Sequence, residues 1–219
     1  MPHDVSWDEY NAHQRGRAAR PSLALALAAV SDQPDGATST PSSAPDDAAA
    51  AAPARVAVDL GCGEGVEVTA LLEEGWTVHA VDGEPAALRR LADRTSPELT
   101  DRLNIHHRSY AEIDTLPAAD LVHSSYALPY CPPEHFDTVW AAVRDALLPG
   151  GVLACQLFGP HDDSFGDPEM TFHTESQARD LLTGLDVVHW TEEDADGTAY
   201  TGPKHWHVFH VVARRPTAG

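Results

Sequence analysis

Val56-Ala-Val-Asp-Leu-Gly-Cys-Gly-Glu-Gly65 is the stretch that decides the fold. Val56-Ala-Val58 reads as a short buried strand that runs into Asp59-Leu60 and a glycine cluster. Val66 to Glu74 then suits a helix, ended by Gly75 at its C′ position. Glycines between a strand and a helix let the backbone turn sharply and come close to a ligand.

Strand, glycine turn and helix make the frame of a Rossmann-type nucleotide site. Asp59 lies two residues before the first glycine. A dinucleotide pyrophosphate prefers the positive end of the following helix, and a carboxylate there repels it. S-adenosylmethionine inverts that requirement, because it carries a sulfonium, an ammonium and no phosphate. An acid beside the loop then helps, directly or through water. The spacing Gly61-x-Gly63-x-Gly65 also departs from the dinucleotide pattern G-x-G-x-x-G. Asp82 ends the second strand, Trp76 to Val81, and is placed to accept both ribose hydroxyls. Nicotinamide enzymes share that role, so Asp82 predicts an adenosine ligand and Asp59 chooses which.

Outward from this stretch, strand and helix signals alternate. Pro85 to Arg94 reads as a helix, Leu103 to His107 and Ala119 to His123 as strands three and four. Phe136, Val139, Trp140, Val143 and Leu147 recur at helical spacing until Pro149-Gly150-Gly151, and Gly151 to Phe158 is a fifth strand. Thr174-Glu-Ser-Gln177 has capping-box form. Leu185 to Thr191 and His205 to Ala213 follow as adjacent strands, with a turn-rich spacer, Glu192 to Pro203. Two strands without an intervening helix pair antiparallel. The expectation is a three-layer α/β domain, Rossmann-like, its seven-stranded sheet parallel but for one strand near an edge.

The 219 residues suit one domain of ordinary size, 55–219, preceded by a helical lid segment, 1–30. Between them, 31–54 is nearly all Ala, Pro, Ser, Thr, Asp and Gly and reads as a flexible linker with little to bury. The 34 acidic residues exceed the 14 basic ones, a net charge of −20 that argues against nucleic acid and anionic membrane as partners. Three scattered cysteines, Cys62, Cys131 and Cys155, read as reduced thiols. The longest apolar run, Leu23 to Val30, is too short to span a bilayer, and the amino terminus lacks signal-peptide order. A cytoplasmic protein is expected.

VDLGCGEG, VDGEP, ADLVHSSYALPY and LLPGGVL, in that order, resemble the class I S-adenosylmethionine-dependent methyltransferases. WDEY with GRAARP, FGPHDDSF with MTFHT, and the terminal KHWHVFHVVARR are similar to a bacterial subgroup near the tellurite-resistance methyltransferases. The resemblance implies strand order 3-2-1-4-5-7-6 and S-adenosyl-L-methionine as cofactor. It implies that Asp59, Gly61, Cys62, Gly63 and Gly65 hold the methionine part, Asp82 and Gly83 the ribose. Ser109 and Tyr110 stand where the family meets adenine, although the usual acid is missing from that place. Ser124, Ser125 and Tyr126 follow strand four, where the family lines the methyl-transfer centre. Tyr10 is expected to close over the cofactor, and Arg20 or Arg17 to meet its carboxylate.

The acceptor belongs beyond the carboxyl ends of the strands. His161 is the expected base, oriented by Asp162 or Asp163, with Tyr126 beside it. Its rival role is a solvated loop residue. His123, inside strand four, reads as core. Lys204 and Trp206 read as a cationic and aromatic substrate rim. His205 and His207 are spaced for one face of a strand, and with no third close ligand in the sequence no metal site is expected. The absence of N/D-P-P-Y/F after strand four leaves a small molecule as the acceptor. Two alternatives stay open: an NAD(P)-dependent oxidoreductase on the same sheet, and a non-catalytic protein that binds S-adenosylmethionine.

Overall fold

The computed structural model describes residues 6–14, 16–32 and 54–217, so the expected linker lies, but for its ends, outside the described residues. The strands are β1 Val56–Leu60, β2 Thr77–Asp82, β3 Leu103–His107, β4 Ala119–Ser124, β5 Leu147–Phe158, β6 Asp186–Ala199 and β7 Gly202–Arg214. They form one sheet in the order β3-β2-β1-β4-β5-β7-β6. The ladders among β1 to β5 are parallel, and β7 runs antiparallel to both β5 and β6. This is the α/β sheet expected from the alternating signals and the terminal hairpin.

Helices cover both faces. They are α1 Trp7–His13, α2 Pro21–Ser31, α3 Val66–Glu73, α4 Pro85–Arg94, α5 Pro133–Ala146 and α6 Glu175–Leu181. Because side chains alternate along a strand, β1 sends Val58 and Leu60 into the core beneath α5, and Ala57 into the core beneath α2 and α3. The apolar stripe of α5, Phe136, Val139, Trp140 and Val143, is buried as its spacing predicts. The capping box of α6 is formed: Gln177 donates its N–H to Thr174 Oγ1, and Thr174 its N–H to Gln177 Oε1. Among the described residues no helix is long and apolar enough to cross a membrane.

The spacer expected from Glu192 to Pro203 is instead ladder, with pairing that runs unbroken from His189↔Val212 to Ala199↔Gly202. Ladder hydrogen bonds are made by the backbone and need no apolar side chain, so the acidic run gave no strand signal. Its side chains are stabilised across the hairpin by histidines.

The amino-terminal segment is fixed to the domain by charge and by packing. Leu23, Ala26, Ala29 and Val30 of α2 are buried in the sheet-facing core. Arg17 grips Glu67 of α3 through both nitrogens, at 2.5 and 2.7 Å, and the Arg20 N–H donates to the same carboxylate at 3.1 Å. Burial alone would push the Glu67 carboxyl up, but Arg17 and the Arg20 N–H outweigh it and hold it below the usual range. Asp8 of α1 meets Arg90, which also bonds the buried Glu64 of the glycine turn.

Two outcomes follow from this packing. Glu67→Gln should destabilise the protein by about 2 kcal/mol, since Arg17 remains a quarter exposed and recovers some hydration. Limited proteolysis should then cut earlier before residue 21 than inside the sheet. His173, packed on Phe136, is pushed down to about 4 by burial, against the pull of Asp137. The unfolded chain therefore binds more protons between about pH 6.5 and 4, and stability falls as pH drops through that window. In urea titrations across it, His173→Phe should flatten the decline.

Candidate active site

A cavity of about 430 Å³ opens at the carboxyl ends of β1, β2 and β4, where the strand order turns back on itself. One wall is the glycine turn. Gly61 and Cys62 donate N–H bonds to Val81 O at 2.8 and 3.1 Å, which ties the turn to the end of β2. Gly61 and Gly63 both have positive φ, 72° and 53°. A Cβ on Gly61 would stand 2.2 Å from Ala127 Cβ, and one on Gly63 2.8 Å from Asn11 Oδ1. Only bare backbone fits there.

Two acids line this cavity, Asp82 and Glu84, and Glu84 accepts from the Ala86 N–H at the start of α4. For Asp82 both oxygens are held. Its Oδ2 accepts from Gly63 N–H and its Oδ1 from Glu84 N–H, both at 2.7 Å. Each oxygen keeps a second lone pair, enough for the two hydroxyls of a ribose. Burial pushes its pKa up, against the two N–H donors.

Asp59 points the other way. It is 2% exposed and is not a lining residue of the cavity. Parallel pairing of β1 with β4 sets Asp59 beside His123, and His123 Nδ1 bonds Asp59 Oδ1 at 2.8 Å. Asp59 Oδ2 is buried without a hydrogen-bond partner. Burial pushes this carboxyl up, with His123 opposing. The two acids that the sequence set beside one loop thus sit on opposite sides of it.

Of the expected residues, Tyr10, Gly61, Gly63, Asp82, Gly83, Ser109, Tyr110 and Tyr126 line the cavity. Asp59, Cys62, Gly65, Ser124, Arg20 and His161 do not. Gly65 and Cys62 shape the turn from behind, and the Ser124 hydroxyl is spent on Leu60 O at 3.0 Å. Ser109 gives its hydroxyl to Glu112, so an acid does follow strand three, one turn later than expected. Tyr110 gives its hydroxyl to Ala127 O at 2.7 Å. Arg17 is held by Glu67, and the Arg20 guanidinium lies 4.6 Å over the Tyr126 ring.

Tyr126 holds a positive φ of 54°, rare for a residue with a Cβ and a mark of a backbone held by its surroundings. Its phenol is pushed up by burial and by Glu193, against Arg20, so it stays protonated at neutral pH. The roof comes from α1: Trp7 packs edge-on against Tyr130 at 4.9 Å, Tyr10 against Tyr200 at 6.1 Å, and Asn11 covers Gly63.

Ser125, expected after strand four, lines the cavity, and its Oγ is buried without a protein partner. Two further lining residues were not picked out in the sequence: Asn11 is 7% exposed above the turn, and His135 is the single imidazole among the described lining residues. No motif marks Asn11 or His135, because each comes from a different element. His161 stands elsewhere. Its Nδ1 bonds Asp194 Oδ2 at 2.9 Å, its ring stacks on His207 at 4.6 Å, and its side chain is 63% exposed. Neither neighbour expected to orient it does so: Asp162 is bonded to Lys204 at 2.8 Å, and Asp163 accepts from His205 N–H at 2.7 Å. Lys204, neutralised by the buried Asp162, is not a free cation for a substrate rim.

Residues 57–151 match the family described as methyltransferase domain. An uncharacterized methyltransferase of Synechocystis sp. is 30% identical over 130 residues, 56% of this chain, and the chain spans 57% of that relative's length. Among solved structures, TehB from Haemophilus influenzae superposes with a TM-score of 0.66 at 13% identity, over 96% of this chain and 68% of its own. The 1,6-didemethyltoxoflavin-N1-methyltransferase of Burkholderia thailandensis does so with 0.64 at 20% identity, over 95% and 83%. At such identities the likeness is one of fold. Residues 57–151 are thus similar to a methyltransferase domain, and the described chain shares the fold of the solved methyltransferases on which it superposes.

Proposed function

We propose that this protein transfers a methyl group from S-adenosylmethionine to a small-molecule acceptor, with the donor held in the cavity between the glycine turn and α1. The observation that carries this reading is Asp82, whose two oxygens face a cavity walled by bare glycine backbone. The volume lies within the usual range for a small ligand. The unpartnered Ser125 hydroxyl and the Gly61 and Gly63 backbone fit a polar, uncharged-to-cationic ligand that approaches closely. The Burkholderia enzyme was solved with S-adenosylhomocysteine and its small heterocyclic acceptor bound, which supports both halves of the proposal.

When bound, the donor supplies an activated methyl group on a sulfonium. The chain's own residues then bind, orient and exclude water. Asp82 accepts the ribose hydroxyls. Trp7, Tyr10 and Asn11 close the roof, and Tyr126 presents a protonated phenol as a wall. Orientation of this kind contributes roughly 7–11 kcal/mol without covalent help. Where the acceptor carries a proton, His135 at the start of α5 is the lining imidazole placed to take it.

Calorimetry with S-adenosylhomocysteine and with NADH separates this from the oxidoreductase reading: only the former should bind. Methyl-tritium transfer into a cell extract separates it from a silent binder, which would label nothing. Asp82→Ala should weaken S-adenosylhomocysteine binding by about 1.5–3 kcal/mol. Affinity should decline on acidification as Asp82 gains its proton, at a pH above that of an ordinary aspartate, and Asp82→Asn should lack that limb. His135→Gln should lower turnover of a proton-bearing acceptor by about 10²-fold while sparing cofactor affinity. Unchanged turnover would remove His135 from the reaction.

A further inference from the structure

One face of the β6–β7 hairpin carries a row of acids opposite a row of histidines. Period-two alternation puts Glu192, Asp194 and Asp196 on the same side of β6, and His205 and His207 on the matching side of β7. The register pairs Asp194 directly with His207 and Asp196 with His205. The loop after β5 adds His161, whose ring stacks on His207. The third close ligand that the sequence did not offer is therefore supplied by the pairing of strands far apart in the chain.

The ion pairs of these acids are all with histidines. Asp194 bonds His161 through Oδ2 and His205 through Oδ1, Asp196 bonds His205, Glu192 bonds His207, and on the other face Glu193 bonds His210. Such pairs hold charge only while the imidazoles keep their protons. A protein with a net charge of −20 thus concentrates carboxylates here without arginine or lysine to offset them. A divalent ion offsets more charge than the shared protons it replaces.

We propose that His161, Asp194 and His207 bind a divalent first-row transition metal ion of the zinc or nickel class. One donor atom from each lies within 4.8 Å of the other two. Two imidazoles and a carboxylate are the donor set of zinc, nickel, cobalt and copper, not of magnesium or calcium. Ligands at about 2.1 Å in a tetrahedron stand about 3.4 Å apart, so the donors need to close by up to about 1.5 Å. The exposed His161 side chain and its loop supply that movement. On binding, the proton between His161 Nδ1 and Asp194 Oδ2 leaves to solvent, the His161 backbone N–H gives up its bond to His207 Nδ1, the His161 ring swings off its stack on His207, and the metal takes the three freed atoms. Glu192 on His207 and His205 on the second oxygen of Asp194 hold the ligands in orientation, the arrangement common around metal-bound histidine. A fourth position stays open to water or to a ligand.

The test is calorimetric titration of the untagged, metal-stripped full chain with Zn²⁺, with Co²⁺ absorption as a report of coordination geometry. One equivalent should bind. Asp194→Asn, which keeps the shape of the side chain, and His161→Gln, on an exposed loop, should each weaken binding at least about tenfold. His189→Gln, on the same hairpin but outside the cluster, should leave it unchanged. Circular dichroism checks that each variant is folded. The proposal is overturned if the wild type binds no stoichiometric ion, or if both ligand variants bind as tightly as the wild type. The latter result would place the ion on others of the thirteen histidines.

Discussion

A backbone bend between two buried strands governs the rest of this molecule. The turn after β1 is tied to the Val81 carbonyl of β2 by two N–H bonds and to the Asp82 side chain by a third. Those bonds demand positive φ at glycine, and the bend they fix leaves no room for a Cβ on either side. The turn is rigid, bare, and open to a ligand along its backbone. Everything placed around it, from the roof helix to the carboxylate of Asp82, takes its position from that bend.

The charge arrangement follows from the same geometry. A side chain at Asp59 alternates away from Leu60, so it is delivered into the helix layer and not into the cavity. Buried there, a lone carboxylate would be costly, and the neighbouring strand answers it with His123. Of the two acids beside the turn, Asp82 is therefore the one that lines the cavity, and Asp59 lies behind the turn. The same logic recurs at the amino-terminal segment, where Glu67 and Glu64 are each met by arginine.

An acidic chain with few lysines uses histidine as its second counterion. Along the β6–β7 hairpin this produces a face of alternating carboxylates and imidazoles, brought into register by backbone pairing alone. The pairs lie along the outer part of β6, 192–199, whose only apolar side chains are two alanines. They also leave a set of donor atoms close enough for a common ion.

The sequence by itself determined the sheet, the glycine turn and the acid at the end of β2, because these are local: apolar runs, a strand–glycine–helix order, and a carboxylate a fixed distance downstream. It also singled out Tyr10 and Tyr126, which line the cavity. Tertiary structure alone decided which side of the turn Asp59 occupies, since that depends on strand pleat and on β4 as a neighbour. It alone brought Asn11 and His135 to that cavity, and it drew His161 away to Asp194 and His207. Contacts between residues distant in the chain are set by register and packing, and neither is written in the spacing of any single segment.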